Sequence, residues 1–224
     1  MHKSLFWMAV AGAVSLSVAG AAEPPPGPPS DHATAAAAQE KAAQDLADLC
    51  ARVTCRKLPR QVSLRMGDNS SFQIGTRMLP YFDDKGTLVI FPGETITLSY
   101  AGDDAKLEHP ALSSVIDPAG PVELPPPLSG ATVSFRLEQM DGKPDMMLTT
   151  TNTTGAIVKF DTVMFVPDPA SGNARGSRTT TCPILPPQGS APGFSGFENW
   201  PQPVVMLLIG NIRALDAAAP RTCN

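Results

Sequence analysis

Four cysteines are the residues of this chain whose type and spacing are best suited to chemistry. They are Cys50, Cys55, Cys182 and Cys223. Thiolates bind metals, exchange electrons or join as disulfides. The first two lie in "LCARVTC", and this C-x4-C spacing differs from the C-x2-C of zinc ribbons and thioredoxin-like sites. Outside the first residues, only His32 and His109 could supply imidazole ligands. We therefore predict structural disulfides, with a metal or redox site as the alternative.

The pairing of these cysteines is open among three arrangements. A bond between Cys50 and Cys55 requires Cα atoms within about 7 Å, so the chain must turn between them. A helix that ends near Cys50 and is followed by a bend meets this requirement, and it leaves Cys182 to pair with Cys223. Crossed pairings remain possible at this level.

A second group of chemically useful residues lies in "FSGFENWPQP" (194–203). Aromatic faces stack on sugars and peptides, so the segment is a candidate lining of a sugar- or peptide-binding groove. Its candidate residues are Phe194, Phe197, Glu198 and Trp200. A carboxyl group between aromatic rings can also act as the acid of a glycosidase, which makes a carbohydrate-acting hydrolase built on Glu198 an alternative. A third interpretation is that the aromatic side chains close one end of the protein core.

Other motifs with catalytic or metal-binding potential are incomplete. In "GFSGF" (193–197) the second glycine comes one residue too early for the G-x-S-x-G elbow of serine hydrolases. Three methionines, whose thioethers suit copper(I), flank the turn at 141–144, but strand alternation sends Met146 and Met147 to opposite faces. Asp141 and Asp145 lack the EF-hand pattern for calcium. We predict no catalytic residues, no metal site and no cofactor, and a periplasmic metal carrier is the minor alternative.

The N-terminal residues predict export. Lys3 precedes an apolar run that ends near Val18, and the small residues that follow fit cleavage after Ala21 or Ala22. The run is too short to span a bilayer, although an uncleaved anchor is the alternative. We predict a signal peptide at 1–22, a proline-rich linker at 23–30 and a periplasmic or secreted location, where disulfides form.

Composition limits the possible partners. The chain of 224 residues has 24 prolines, 17% charged residues and a net charge of −4. Nucleic-acid-binding proteins have basic faces, so this mild acidity excludes nucleic acid as the expected partner. We expect an envelope protein or a glycan as partner, and no membrane span after signal cleavage.

The remaining chain predicts a helix followed by short strands. Residues 31–50 are rich in alanine and predict an N-terminal helix, of which only the last two turns can bury much surface. Within 56–216, short alternating runs such as "ETITLSY" and "ATVSFRLEQM" are separated by turns and predict an antiparallel β-sandwich. Residues 167–177 are expected to be a loop, followed by a strand at 178–184, and residues 217–224 form a C-terminal tail.

Two segments, "FPGETITLSY" and "TNTTGAIVKFDTVMFVP", resemble strands of bacterial immunoglobulin-like domains. The layout of the whole chain also resembles uncharacterised exported β-sandwich proteins of Gram-negative bacteria. The Cys…Trp…Cys order of antibody domains is absent, since Trp200 follows three cysteines. The resemblance implies a compartment and a fold, and no activity. The leading hypothesis is an exported, non-catalytic β-sandwich that binds or supports another component of the cell envelope.

Overall fold

The computed structural model describes residues 30–57, 59–76, 78–101, 106–124, 130–188, 194–216, 218–219 and 221–223. The predicted signal peptide and the linker up to residue 29 lie outside these residues. The chain divides into two compact units, Met1–Ala42 and Ala43–Asn224. The described residues of the first unit, 30–42, are helical.

The helix α1 (Ser30–Cys50) begins one residue before the predicted start. Its side chains are exposed from residue 35 to residue 45, whereas Leu46 and Leu49 are half-buried. Between residues 35 and 50, burial is therefore confined to the last turns of the helix, as its alanine-rich face predicted. Among the described residues, no helix is long and apolar enough to cross a membrane.

Eleven strands follow the helix in the described part of the chain. They are β1 (Gln61–Arg65), β2 (Ser71–Gly75), β3 (Leu88–Ile90), β4 (Thr95–Tyr100), β5 (Pro110–Ile116), β6 (Thr132–Gln139), β7 (Met146–Asn152), β8 (Ile157–Asp168), β9 (Asn173–Thr179), β10 (Phe194–Trp200) and β11 (Met206–Leu215). All pairings between them are antiparallel.

The strands form two main sheets and a hairpin. The larger sheet has the order β10-β7-β6-β4-β5, the smaller one β3-β11-β8-β9, and β1 pairs with β2. The chain is thus mainly β, with antiparallel sheets arranged as a sandwich and one N-terminal helix, which confirms the predicted fold class.

The core between the sheets follows from alternation along the strands. Ile96 and Leu98 of β4 are completely buried, while Thr95 and Thr97 between them face the other way and are half-buried. The rings of Phe135 on β6 and Phe160 on β8 meet edge to face, with centroids 5.2 Å apart. Because these two rings belong to different sheets, they join the two layers directly.

Strand β9 departs from the sequence-based expectation. Residues 173–177 were expected to lie in a loop but continue the antiparallel ladder with β8, from the pair Asp168–Asn173 to the pair Thr162–Thr179. The segment "NARGSRT" has no alternation of apolar and polar residues, and most of its side chains are exposed. Its strand conformation depends on hydrogen bonding to the long strand β8, which a search for amphipathic patterns does not detect.

Two disulfides are present, and they select one of the three possible pairings. Cys50 bonds to Cys55 with Cα atoms 5.5 Å apart, and Cys182 bonds to Cys223. The turn that the short bridge requires follows the helix directly, where the amide nitrogens of Arg52 and Val53 donate to the carbonyl of Leu49. The long bridge holds the C-terminal tail against the strand region.

A buried ion pair fixes the segment that follows the short bridge. The side chain of Arg56 is 2% exposed and that of Glu94 is 0% exposed. Nε of Arg56 lies 2.8 Å from Oε1 of Glu94, and Nη2 lies 2.5 Å from Oε2. The other guanidinium hydrogens point to three main-chain carbonyls, those of Leu79, Pro80 and Val89. All five N–H donors of this arginine therefore have an acceptor.

The surroundings of this ion pair are aromatic and polar. The guanidinium carbon lies 4.2 Å from the ring centre of Tyr81 and 4.7 Å from that of Phe91, distances at which cation–π attraction operates. The Tyr81 hydroxyl donates to Oδ2 of Asp117 over 2.6 Å. Burial is the main cause that raises the pKa of Tyr81 above its usual range, and the carboxylate of Asp117 raises it further. Burial alone raises the pKa of Tyr100 in the same way.

The two tyrosines predict alkaline instability. Tyr81 and Tyr100 are the only tyrosines, and each is 1% exposed. Because the folded state raises both pKa values, the unfolded chain loses these protons first, and stability falls as the pH rises above about 10. Two protons correspond to a fall in the free energy of unfolding of about 2.7 kcal/mol per pH unit.

The lowered pKa of Lys159 makes the free energy of unfolding rise with pH, but only below about 10.5, so the effect of the tyrosines is measured above that pH. Tyrosinate absorbance should appear together with unfolding, and ionisation of either tyrosine near pH 10 in the folded protein would contradict this prediction.

Candidate functional site

The predicted ligand-binding residues lie on strand β10, and alternation divides them between two faces. Phe197 is 65% exposed, whereas Trp200 is 7% exposed and belongs to the core. Glu198 is two residues before Trp200, so it lies on the same face of the strand, and it is half-buried. The backbone of Phe194 pairs with Asn152, and its side chain lies outside the described part of the structure. Phe197 thus does not share a groove with Glu198 and Trp200.

Glu198 contacts the protein's own main chain. Its Oε1 accepts a hydrogen bond of 2.6 Å from the amide nitrogen of Cys182. The buried ammonium group of Lys159 donates to the neighbouring carbonyl of Thr181. Burial lowers the pKa of Lys159, and the charge of Arg213 lowers it further. These contacts attach the segment of the long disulfide to β10 and β8, which gives Glu198 a structural task.

The close fit of β10 over this segment depends on Gly196. A Cβ atom at this position would overlap Cδ1 of Ile184. Ile184 is 3% exposed and forms an isolated antiparallel bridge with Val158 of β8. The absence of a side chain at Gly196 therefore lets Ile184 pack beneath β10. No empty space is left under this strand at Gly196, which supports its outward face.

The outer face of the five-stranded sheet has a row of hydroxyl groups that crosses all five strands. In the order of the strands the row consists of Ser195, Thr151, Ser134, Thr97 and Ser114. Adjacent members interact, since the oxygens of Ser195 and Thr151 are 3.2 Å apart and Thr97 donates to Ser134 over 3.1 Å. Each hydroxyl group can donate one hydrogen bond and accept two, so the row retains capacity for an external ligand.

A second row lies beside the first, two residues further along β10. It consists of Phe197, Thr149, Arg136, Thr95 and Ile116. Phe197 is 65% exposed and Ile116 is 63% exposed, so an apolar side chain stands at each end. Arg136 lies in the middle, with Nη2 2.6 Å from Oε2 of Glu138. We call these two rows together the hydroxyl platform.

The dimensions of the hydroxyl platform follow from sheet geometry. Four strand spacings of about 4.8 Å make it roughly 19 Å wide, and the two rows are about 7 Å apart. Such a surface offers hydroxyl groups at regular intervals, one guanidinium and one exposed aromatic ring. These groups suit a long, flat, polar ligand that carries many hydroxyl groups of its own.

The described residues offer little to a metal ion. None of the described histidines, cysteines, aspartates and glutamates form a group of three or more that could hold one. Met146 is completely buried and Met147 is half-buried on the opposite face, which is the separation that strand alternation predicted. The predictions of no cofactor and no catalytic residue remain predictions.

The hydroxyl platform went unrecognised in the sequence, although part of its pattern was visible. The alternating serines and threonines of "TITLSY" and "TVSF" indicate that one face of each strand is polar. That these polar positions line up across five strands depends on register, which links residues as distant as Thr97 and Ser195. The available indication was the run of threonines in "LTTTNTT" (148–154).

No protein-family model, no curated protein and no solved structure matches this chain. The fold therefore defines its class as an antiparallel, disulfide-containing β-sandwich with an N-terminal helix. The resemblance to exported immunoglobulin-like proteins stays a prediction.

Proposed function

We propose that this protein is an exported, non-catalytic β-sandwich that binds a carbohydrate polymer of the cell envelope on the hydroxyl platform. The observation that carries the proposal is the exposed ring of Phe197 at the end of a row that adjoins five aligned hydroxyl groups. An aromatic ring stacks on the apolar face of a sugar, while neighbouring hydroxyl groups and a guanidinium bind its oxygens.

Export to the periplasm or the exterior is part of this proposal. The two disulfides support it, because such bonds persist in oxidising compartments. The basic and apolar N-terminal residues, followed by small ones, support it independently.

Replacing Phe197 with alanine tests the binding surface. We expect about tenfold weaker binding, since a stacked aromatic ring contributes roughly 1 kcal/mol or more. The stability of the protein should change by less than about 0.5 kcal/mol, because the ring is mostly exposed. The measurement is cosedimentation of the purified protein with peptidoglycan and, separately, with cellulose, which distinguishes a wall polymer from a plain glucan.

The control for this experiment is Met78→Ala, which removes another exposed apolar side chain, 44% exposed and outside the hydroxyl platform. Equal retention of the Phe197→Ala and unchanged proteins would contradict the proposal, as would no binding to either polymer. The alternative of a hydrolase is tested in the same samples with Glu198→Gln. Release of soluble sugars by the unchanged protein, abolished by this variant, would favour the enzyme over the binding protein.

A further inference from the structure

Strand β9 forms an edge of the four-stranded sheet. It pairs with β8 on one side, and no strand in the described part of the chain pairs with its other side. Alternate N–H and C=O groups of an edge strand point away from its neighbour, so such a strand is a template for adding another. The seven residues contain no proline, and all of their positions are exposed or half-buried.

Two arginines give this edge a positive charge. Arg175 and Arg178 are exposed. Neither guanidinium takes part in an ion pair among the described residues. By contrast, Arg213 on the same sheet lies 3.1 Å from Oδ1 of Asp161. The edge therefore carries two positive charges outside any ion pair of the described residues, on a chain whose net charge is −4.

The outer face beside β9 has a depression with a partly apolar lining. This cavity of about 510 Å³ is lined by Val163, Leu208 and Gly210, with Arg178 and Thr179 on the side of β9 and the carboxylate of Asp161 among its polar groups. Space for this depression comes partly from Gly210, since a Cβ atom there would meet no other atom within 4 Å. The pairing of β11 with β8 is irregular just beyond Gly210, and such bulges are common beside binding sites.

The edge strand also contains a glycine next to an aromatic ring. A Cβ atom on Gly176 would lie 3.3 Å from Cε1 of Phe165, its partner on β8. Because Gly176 has no side chain, the edge of this half-buried ring is accessible from the side of β9. A residue placed opposite Gly176 on an added strand would therefore contact Phe165.

We propose that an acidic segment of a partner protein binds to β9 as an additional strand. Main-chain hydrogen bonds along an edge supply affinity in such complexes, and side chains at alternate positions supply specificity. Charge complementarity selects the partner, since carboxylates on the added strand would face Arg175 and Arg178. A second copy of this chain is an unsuitable occupant, because two β9 strands would bring four arginines into one ribbon.

The positions along β9 define a recognition pattern. An added strand carries acidic residues opposite Arg175 and Arg178 and an apolar residue opposite Gly176. Its sequence is therefore acidic, apolar, any residue, acidic, or the reverse of this order for the opposite strand direction. The two acidic side chains lie on opposite faces of the strand, because Arg175 and Arg178 are separated by an odd number of positions.

The test uses a fluorescent peptide about ten residues long, with this pattern between threonines, and the full chain. Fluorescence anisotropy should show saturable binding. Arg178→Glu and Arg175→Glu should each weaken it about tenfold, and together about a hundredfold, because each exchanges attraction for repulsion. The control Arg65→Glu changes an exposed arginine on another strand and should have no effect.

Two further peptides separate strand addition from simple charge attraction. A peptide with proline at its centre retains the charges but loses a main-chain donor and should bind at least tenfold more weakly. A peptide with the same composition in scrambled order should lose the contact with Phe165 and also bind more weakly. Equal binding of the three peptides, or equal binding to the Arg178→Glu protein, would overturn the proposal. Binding of an anionic polysaccharide without binding of the peptide would also overturn it.

Discussion

Replacement of Arg56 with methionine is expected to lower the free energy of unfolding by about 3–5 kcal/mol. The variant leaves the carboxylate of Glu94, 0% exposed, without its charged partner. Two other contacts of Glu94 remain, from the amide nitrogen of Phe91 at 2.8 Å and from Arg60 at 3.5 Å, and they compensate only part of the lost interaction. The three main-chain carbonyls that Arg56 binds also lose a donor. Urea unfolding followed by tryptophan fluorescence measures the loss.

A matched control and a double variant distinguish the buried pair from surface charge. Arg52 and Asp84 also form an ion pair at 2.9 Å, but their side chains are 63% and 40% exposed, so Arg52→Ala should cost less than about 1 kcal/mol. Replacing Arg56 with methionine and Glu94 with leucine together should recover part of the stability, because no unpaired charge stays buried. If Arg56→Met lowered the free energy of unfolding by less than about 1 kcal/mol, the buried contacts of Arg56 would not stabilise the fold as expected.

Removal of the long disulfide, with Cys182 and Cys223 both replaced by alanine, should cost about 4 kcal/mol. The two cysteines are 41 positions apart, whereas Cys50 and Cys55 are 5 apart. A cross-link restricts the unfolded chain more when it closes a longer loop, so removal of the short bridge should cost only about 2 kcal/mol.

The free energy of unfolding of each disulfide variant is measured by the same urea unfolding, without reductant. The hydrogen bond from the Cys182 amide to Glu198 does not depend on the bridge, so the local structure near β10 should persist in the variant that lacks Cys182. Native-state hydrogen exchange of this amide tests that persistence. An equal loss from both variants, or a larger loss from the short bridge, would contradict the loop-length explanation.

Most of the fold could be predicted from local sequence patterns. Alternation along "ETITLSY" and "ATVSFRLEQM" identified β4 and β6 and their buried faces, since one side of each strand must be apolar when it covers a core. Strand β9 was missed because its side chains bury little surface. It is a strand through its pairing with β8, and no local pattern encodes a partner.

The candidate site could be predicted only in part. The sequence drew attention to residues 194–203 and included Phe197 among the candidates, and an aromatic residue in a polar stretch was sufficient for that. It did not separate Phe197 from Glu198 and Trp200, because the interpretation grouped residues by distance along the chain. In a strand, adjacent residues point to opposite faces. Phe197 therefore lies on the face opposite to that of Glu198 and Trp200, although the three residues are close in sequence.

The sequence by itself determined the amphipathic elements of this protein, among which β9 is not included, and the polarity of their faces. Periodicity and turn residues are local, and they establish where strands begin and which side of each is apolar. Tertiary structure decided which residues act together. The hydroxyl platform and the partners of Arg56 are built from positions as far apart as Thr97 and Ser195, or Arg56 and Glu94. Strand order and register bring such residues together, and both result from the packing of two complete sheets around one core.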